Sequence, residues 1–403
     1  MHGNQGLGDW GRPSCESRIP VNTPVAWLTV AMHNPATAIR EMWFMLRRLK
    51  AVGPLLAIPI LFLAAPAYAA TTPELIADSP HPIGIAEDAA GNVYLADAAN
   101  SDTALRGVVV VPASTGSLFG TPVTAGSQTT LIAESSLVGT ARGVAVNSQG
   151  DLFVSDNTGR VYVLTASSKT IFGIAIPANT VTNIASGTSM NGALEFDSAG
   201  NLFGVGLASN RLSVIPVSTG TLFGVSVTAD VPKVLLTYTG GWFWDLAIDG
   251  NDNVFITDGW GNEGVFVLPK STSTLYGQSV TADTFVELTV WASDASRPAG
   301  IDLDGSGNMF VTYWGNRMAI VAPNATEYFG QEVPALTATR LAFTVGYADQ
   351  GVLVSTGGSL ISGALTATYR LTNFTASTVT FDANGADVTG TMSPQTDSSP
   401  TAL

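Results

Sequence analysis

Five stretches of this chain can be laid on one another. They are GIAEDAAGNVYLAD from Gly84, GVAVNSQGDLFVSD from Gly143, ALEFDSAGNLFGVG from Ala193, DLAIDGNDNVFITD from Asp245 and GIDLDGSGNMFVTY from Gly300. Self-similarity at a fixed period constrains a fold more than composition does, because one supersecondary unit must recur and stack on its neighbours. Each stretch is an apolar run, a polar turn, and a second apolar run with an aromatic at its middle. The turn opens at Asp88, Asn147, Asp197, Asp249 and Asp304. Asp and Asn there can bond the turn's own backbone, and the Gly that usually follows supplies a positive φ. Aromatics Tyr94, Phe153, Phe203, Phe255 and Phe310 keep one offset from that turn. A helix would not hold this register, whereas two short strands joined by a tight hairpin do.

A second landmark falls between these stretches: Leu118-Phe119-Gly120, Ile171-Phe172-Gly173, Leu222-Phe223-Gly224, Leu275-Tyr276-Gly277 and Tyr328-Phe329-Gly330, with Gly-to-Gly steps of 53, 51, 53 and 53. It reads as the turn between a third and a fourth strand, its aromatic tucked against the sheet. A sixth, degenerate copy starts at Gly351, where GVLVSTGGSLIS lines up with GVAVNSQGDLFV; Ser355 takes the turn position and Gly358 matches Gly150. Glu74-Leu75-Ile76-Ala77 resembles Thr130-Leu131-Ile132-Ala133, the fourth strand of the first repeat, and so can complete the sheet begun by that last copy. Closure of this kind hides sheet edges. The expected fold is therefore all-β, a six-bladed β-propeller of four-stranded antiparallel blades closed by an N-terminal strand. It would span residues 70–383, with repeats starting near 84, 143, 193, 245, 300 and 351. The alternative is five blades with a separate C-terminal module. Residues 384–403, rich in Ser, Thr, Pro and Asp, read as a flexible tail.

The D-x-x-G-N turn is followed by Gly159-Arg160, Asn210-Arg211 or Asn316-Arg317 before an apolar third strand. This combination resembles the NHL repeat over about residues 72–375, with an insert around each Phe-Gly landmark that makes the unit longer. The resemblance implies a propeller. It implies little about activity, since such folds carry binding scaffolds, lyases and lactonases alike.

Arg47, Arg48 and Lys50 precede an apolar run, Ala51 to Pro66, and then Ala67-Tyr68-Ala69, the layout of a signal peptide spanning 45–69. The run is short and broken by Pro54 and Pro59, which disfavours the alternative of a retained membrane anchor. Met45 makes a natural start, leaving 1–44 as a non-native upstream extension. The expected destination is secreted, periplasmic or cell-envelope. The net charge of −14 becomes −17 once residues 1–69 are removed, a surface that repels nucleic acid and anionic lipid and disfavours both as partners. Cys15, the one cysteine, lies in the removed part, and the mature chain is expected to be a monomer without thiol chemistry.

One histidine, His81, remains after processing, flanked by Pro80 and Pro82, which suits a loop and not a catalytic triad. Two residue sets invite function. Glu195, Asp245 and Asp302 stand where the first strand of other repeats carries Gly or Ala. Buried near an axis they need partners, either a calcium ion or Arg142, Arg297 and backbone amides. Trp242, Trp244, Asp258, Trp260, Tyr313 and Trp314 fall in loops that an up-and-down blade brings to one rim. Trp beside carboxylates suits a carbohydrate, peptide or protein ligand, with interblade packing as the alternative. The functional expectation is a non-catalytic binding module using this rim, against a calcium-dependent lactonase-like hydrolase using the three carboxylates.

Overall fold

The computed structural model describes residues 82–97, 106–206, 210–261, 263–291, 297–313, 317–328 and 331–341, and the backbone alone of 74–77, 352–355, 360–363 and 368–370. All lie within the unit Ala67–Leu403. The expected upstream extension, signal peptide and tail, with His81 and Trp314, fall outside the described residues. No helix among the described residues is long and apolar enough to cross a membrane.

The repeat folds into four-stranded antiparallel sheets. The first blade runs Pro82–Glu87, Val93–Asp97, Gly107–Val111 and Thr129–Ala133, and the second Ala141–Val146, Leu152–Asp156, Val161–Leu164 and Thr182–Ala185. The third runs Leu194–Phe196, Leu202–Gly206, Arg211–Ile215 and Lys233–Thr237; the fourth, Phe243–Ile248, Val254–Asp258, Gly264–Leu268 and Val286–Glu287. The fifth is Pro298–Leu303, Met309–Tyr313, Arg317–Val321 and Thr339–Arg340. The chain is thus an all-β propeller.

The turn between the first two strands is clamped the same way each time. Asp88 Oδ1 accepts the N–H groups of Ala90 and Asn92, and Oδ2 accepts the Asn92 amide. Asp197, Asp249 and Asp304 repeat this with Asn201, Asn253 and Asn308. Blade two carries the pair reversed, Asn147 donating to Asp151. The amide then ties the turn to the far end of the third strand, where the Ala113, Val217 and Lys270 N–H groups bond the Oδ1 atoms of Asn92, Asn201 and Asn253.

The Phe-Gly landmark is a separate two-stranded hairpin inserted after the third strand, for example Gly116–Leu118 with Thr121–Val123. Phe119 and Gly120 have φ of 49° and 76°, and Phe172, Phe223 and Tyr276 share the same left-handed turn with their glycines. Positive φ at both central residues is the type I′ turn that two-residue hairpins favour, although a bulky side chain there is disfavoured. Ring burial offsets the strain. Phe172 meets Phe153 edge-on at 6.3 Å between centroids, Phe223 meets Phe203 at 6.1 Å and Tyr276 meets Phe255 at 6.0 Å. In blade five Tyr328, one position earlier, takes that place against Phe310 at 5.1 Å.

The cores lie between blades. One cluster joins Tyr94, Val108 and Val110 of blade one to Val144, Leu152 and Tyr162 of blade two. Another joins Phe255, Val265 and Val267 of blade four to Met309, Val311 and Tyr313 of blade five. A buried hydroxyl adds a polar staple. Ser155 Oγ accepts the Gly143 N–H at 2.9 Å and donates to Gly192 O at 2.6 Å, and Thr257 does the same between the Asp245 N–H and Ala299 O. Consecutive first strands approach so closely that a Cβ on Gly143 would stand 2.3 Å from Gly192 O. This is why the innermost position favours Gly and Ala.

The expectation of six blades is corrected to five. Five sheets carry the complete unit, with hairpin insert and interblade core. Val352–Ser355, Leu360–Gly363 and Thr368–Arg370 pair with one another and with Glu74–Ala77, in the register expected for an N-terminal closing strand. That sheet lies beside the first strands of blades five and one but is not another copy of the blade. Ser355 replaces the clamping Asp or Asn, Ile361 replaces the aromatic, and no hairpin insert accompanies it among the described residues. Without the clamp and the aromatic wedge, the C-terminal segment supplies a closing sheet rather than a repeat.

Candidate functional site

The first strands of the five blades line a central cavity of about 210 Å³. Its wall includes Gly84, Gly143 and Ala193 where the repeat keeps small residues, and Glu195, Asp245 and Asp302 where it does not. The structure therefore brings the three sequence-selected carboxylates to one space. Glu87 and Trp244 share it. The Glu195 side chain is exposed to the cavity, whose surrounding protein walls desolvate its carboxyl and push it up to about 8, with Asp302 and Asp245 adding to the shift. Burial also raises Asp245 to about 7, against the opposing pull of two N–H donors. These are the amides of Leu246, 2.9 Å from Oδ1, and of Ile301 on the next blade, 3.0 Å from Oδ2. Asp302 Oδ1 accepts the Leu303 amide at 2.8 Å.

Backbone amides thus engage both oxygens of Asp245 and one of Asp302. Among the described residues no three acidic or histidine side chains are grouped to hold a metal ion. The calcium weighed as one alternative partner for these carboxylates thus has no three-ligand group among the described residues, and no chemistry is derived through it. Arg297 does not serve them either. It forms an ion pair with Glu263, Nε to Oε1 3.4 Å, and its guanidinium lies 4.1 Å from the ring centroid of Trp260.

The tryptophan-rich loops divide. Trp242 and Trp260 meet at the surface, centroids 6.0 Å apart and planes inclined by 32°, and are 50% and 47% exposed. Asp258 is wholly buried beneath them and contacts no open surface. Its Oδ1 accepts the N–H of Trp242 at 2.8 Å and of Trp260 at 3.1 Å. It is a bracket rather than a ligand-binding side chain. Asp156 in blade two does the same job, with Oδ1 accepting the Thr158 and Arg160 amides and Oδ2 the Gly139 amide. Trp244 turns inward to the cavity wall, packed so closely on Gly259 that a Cβ there would stand 2.3 Å from its Cδ1. Tyr313 is 2% exposed and packs against Trp291 in the core. Of the expected rim, Trp242 and Trp260 form an open platform, joined by Arg297 and Glu263. The sequence offers Arg297 only as a partner for the axial carboxylates; nothing in a linear repeat announces that it stacks.

The class defined by this architecture is the β-propeller, and comparison with known proteins goes no further than fold. No protein-family model matches the chain. No curated protein matches it. Solved structures do. Virginiamycin B lyase from Staphylococcus aureus is 13% identical over 74% of this chain and 87% of that one, with a TM-score of 0.40. A gluconolactonase from Xanthomonas campestris is 12% identical over 74% and 89%, with a TM-score of 0.45. The nidogen/laminin complex is 15% identical over 65% and 83%, with a TM-score of 0.40.

Proposed function

We propose that this chain is an exported NHL-like β-propeller acting as a non-catalytic binding module, with a carbohydrate or peptide ligand seated on Trp242 and Trp260. The observation that carries this reading is the half-exposed ring pair. Among the described residues the other exposed large apolar side chains are aliphatic, while the repeat aromatics are buried. Leaving two indoles in water forfeits about 2 kcal/mol each relative to burial, an expense that a ligand face recovers on binding. Arg297 stacked on Trp260 limits the ring's motion, and the Arg297–Glu263 pair sets donors and acceptors at its edge. Aromatic platforms with polar groups at their edge suit sugar rings and peptide planes. The reading requires no cofactor. Glycan and peptide arrays probed with the mature protein test it: binding is expected to fall at least tenfold in Trp242→Ala and Trp260→Ala. Undiminished binding by both variants, or no binding to either array, overturns the reading.

One observation favours a second reading, a lactonase-like hydrolase working in the central cavity. A carboxyl held up to about 8 beside two further carboxylates has the protonation range of a general acid–base. Turnover of a lactone panel that is lost in Glu195→Gln and kept in Trp242→Ala would favour this reading over the first.

A further inference from the structure

A second cavity, of about 600 Å³, opens between blades two and three at the end carrying the Asx-clamped turns. It has no counterpart in the axial site or the tryptophan platform. Its floor is apolar: Phe153, Phe172 and Phe196 interlock edge-on, with Phe153–Phe196 centroids at 4.9 Å. Val217, 45% exposed, forms a lip on the blade-three side.

Two other seams are closed across the same turns. Between blades three and four, Ser198 donates through its amide and hydroxyl to the two oxygens of Asp252, both at 2.9 Å. Between blades four and five, the Tyr276 hydroxyl donates to Gly307 O at 2.7 Å. At the blade two–three seam the hairpin aromatic is Phe172, which has no hydroxyl to reach across. The reversed clamp places a carboxylate, Asp151, where other blades carry an amide. Lys169 caps it, Nζ lying 2.8 and 3.0 Å from the two oxygens.

Charge fixes the kind of occupant. Lys169, the one cation in the wall, is neutralised by Asp151. Asp197 spends its oxygens on its own turn. Asp230 stands over the hairpin turn at Gly173, and its carboxylate has no hydrogen-bond or ion-pair partner among the described residues. An apolar floor beneath an uncompensated carboxylate complements a molecule with the opposite layout.

We propose that this seam is a binding site for a small organic ammonium carrying an aromatic body, the ring resting on Phe172 and Phe196 and the ammonium paired with Asp230. Three isosteres test it by calorimetric titration of the mature protein: phenethylammonium, 2-phenylethanol and hydrocinnamate. The ammonium is expected to bind at least tenfold more tightly than the alcohol, with no measurable binding of the carboxylate. Asp230→Asn, a surface change, should bring the ammonium to the affinity of the alcohol. Ala199→Trp should block the ammonium and the alcohol by filling the mouth, whereas Trp242→Ala should change nothing. Equal affinity for the three probes, no binding of the ammonium, or an unchanged preference in Asp230→Asn would each overturn the proposal. Because Trp242 is the control, failure here is independent of the platform reading.

Discussion

Asp258 supports the tryptophan platform from below, and the geometry says how much depends on one of its atoms. Both amides, of Trp242 and Trp260, converge on Oδ1. Replacing Asp258 by Ala removes both bonds and leaves two N–H groups facing a cavity. Hydrogen bonds to a charged acceptor contribute about 1.5–3 kcal/mol each, so the loss should total about 3–6 kcal/mol. Asp258→Asn keeps a carbonyl oxygen at the same place and should cost only about 1 kcal/mol. Asp258→Asn keeps the side-chain volume and Asp258→Ala does not, so their difference reads the lost acceptor together with the small cavity beneath the platform. Urea unfolding followed by fluorescence gives the free energies, and near-ultraviolet circular dichroism of the folded state reports the coupling between the indoles. Asp258→Ala is expected to lose that coupling and Asp258→Asn to keep it. If Asn and Ala variants unfold within about 1 kcal/mol of each other, the bracket argument is wrong, because equal losses would mean that the acceptor contributes nothing.

Other consequences are accessible to simple measurements. Glu195 and Asp245 titrate above their unfolded values, so the folded state favours their protonated forms. The associated stability is present below pH 4 to 4.5 and is lost as pH rises through about 7 to 8. The melting temperature of the native protein should therefore fall between pH 5 and 9, and fall less steeply in Glu195→Gln; parallel profiles would contradict the placement of this carboxyl. Gly143→Ala drives a methyl against Gly192 O and should cost about 3 kcal/mol or more, while Gly150→Ala, at φ 77° in open space, should cost about 1 kcal/mol, both read from denaturant midpoints. Phe153→Ala removes a ring from the core shared by blades two and three and should cost about 3–5 kcal/mol in the same assay.

Much of the blade was legible in the sequence because the features that build it are local. The Asp or Asn at the turn bonds residues two and four positions on, and the aromatic follows at a fixed offset. Its edge-on partner comes from the same repeat. The number of blades was not, because the segment from Gly351 preserves the apolar alternation that makes strands without the side chains that make a repeat. Alternation alone specifies pairing, and pairing is what that segment does. At the site, the sequence placed Trp242, Trp244, Asp258 and Trp260 in neighbouring loops but not their directions. Trp244 faces inward, since Gly259 gives its ring a surface to lie on. Asp258 and Tyr313 are buried because blades two and five, like blade four, use the end of the second strand for support. The staple formed by Ser155 and Thr257 has a sequence signal, a hydroxyl immediately before the terminal Asp, that becomes readable once its acceptor on the next blade is known. The cavity between blades two and three leaves almost no linear trace. Its trace is Gly200, standing where blade four carries Asp252, the acceptor that closes the next seam, together with the exchange between Asn147 and Asp151.

The sheet that unites Glu74–Ala77 with Thr368–Arg370 sets a condition on biogenesis. Its paired residues are about 300 positions apart, so a chain emerging from a ribosome or a translocation pore must keep its first strand waiting until nearly the last one appears. Fastening ends that distant carries a loop-closure cost of about 5 kcal/mol, which the five blades can reduce in advance by bringing the ends together as they assemble. During synthesis Glu74–Ala77, unpaired until its partner appears, is therefore vulnerable to pairing with another chain. Once the clasp is made, a force drawing the two ends apart would enter where Glu74 pairs with Arg370 and peel that strand pair open from one end, and the blades would not feel it until the clasp gave way.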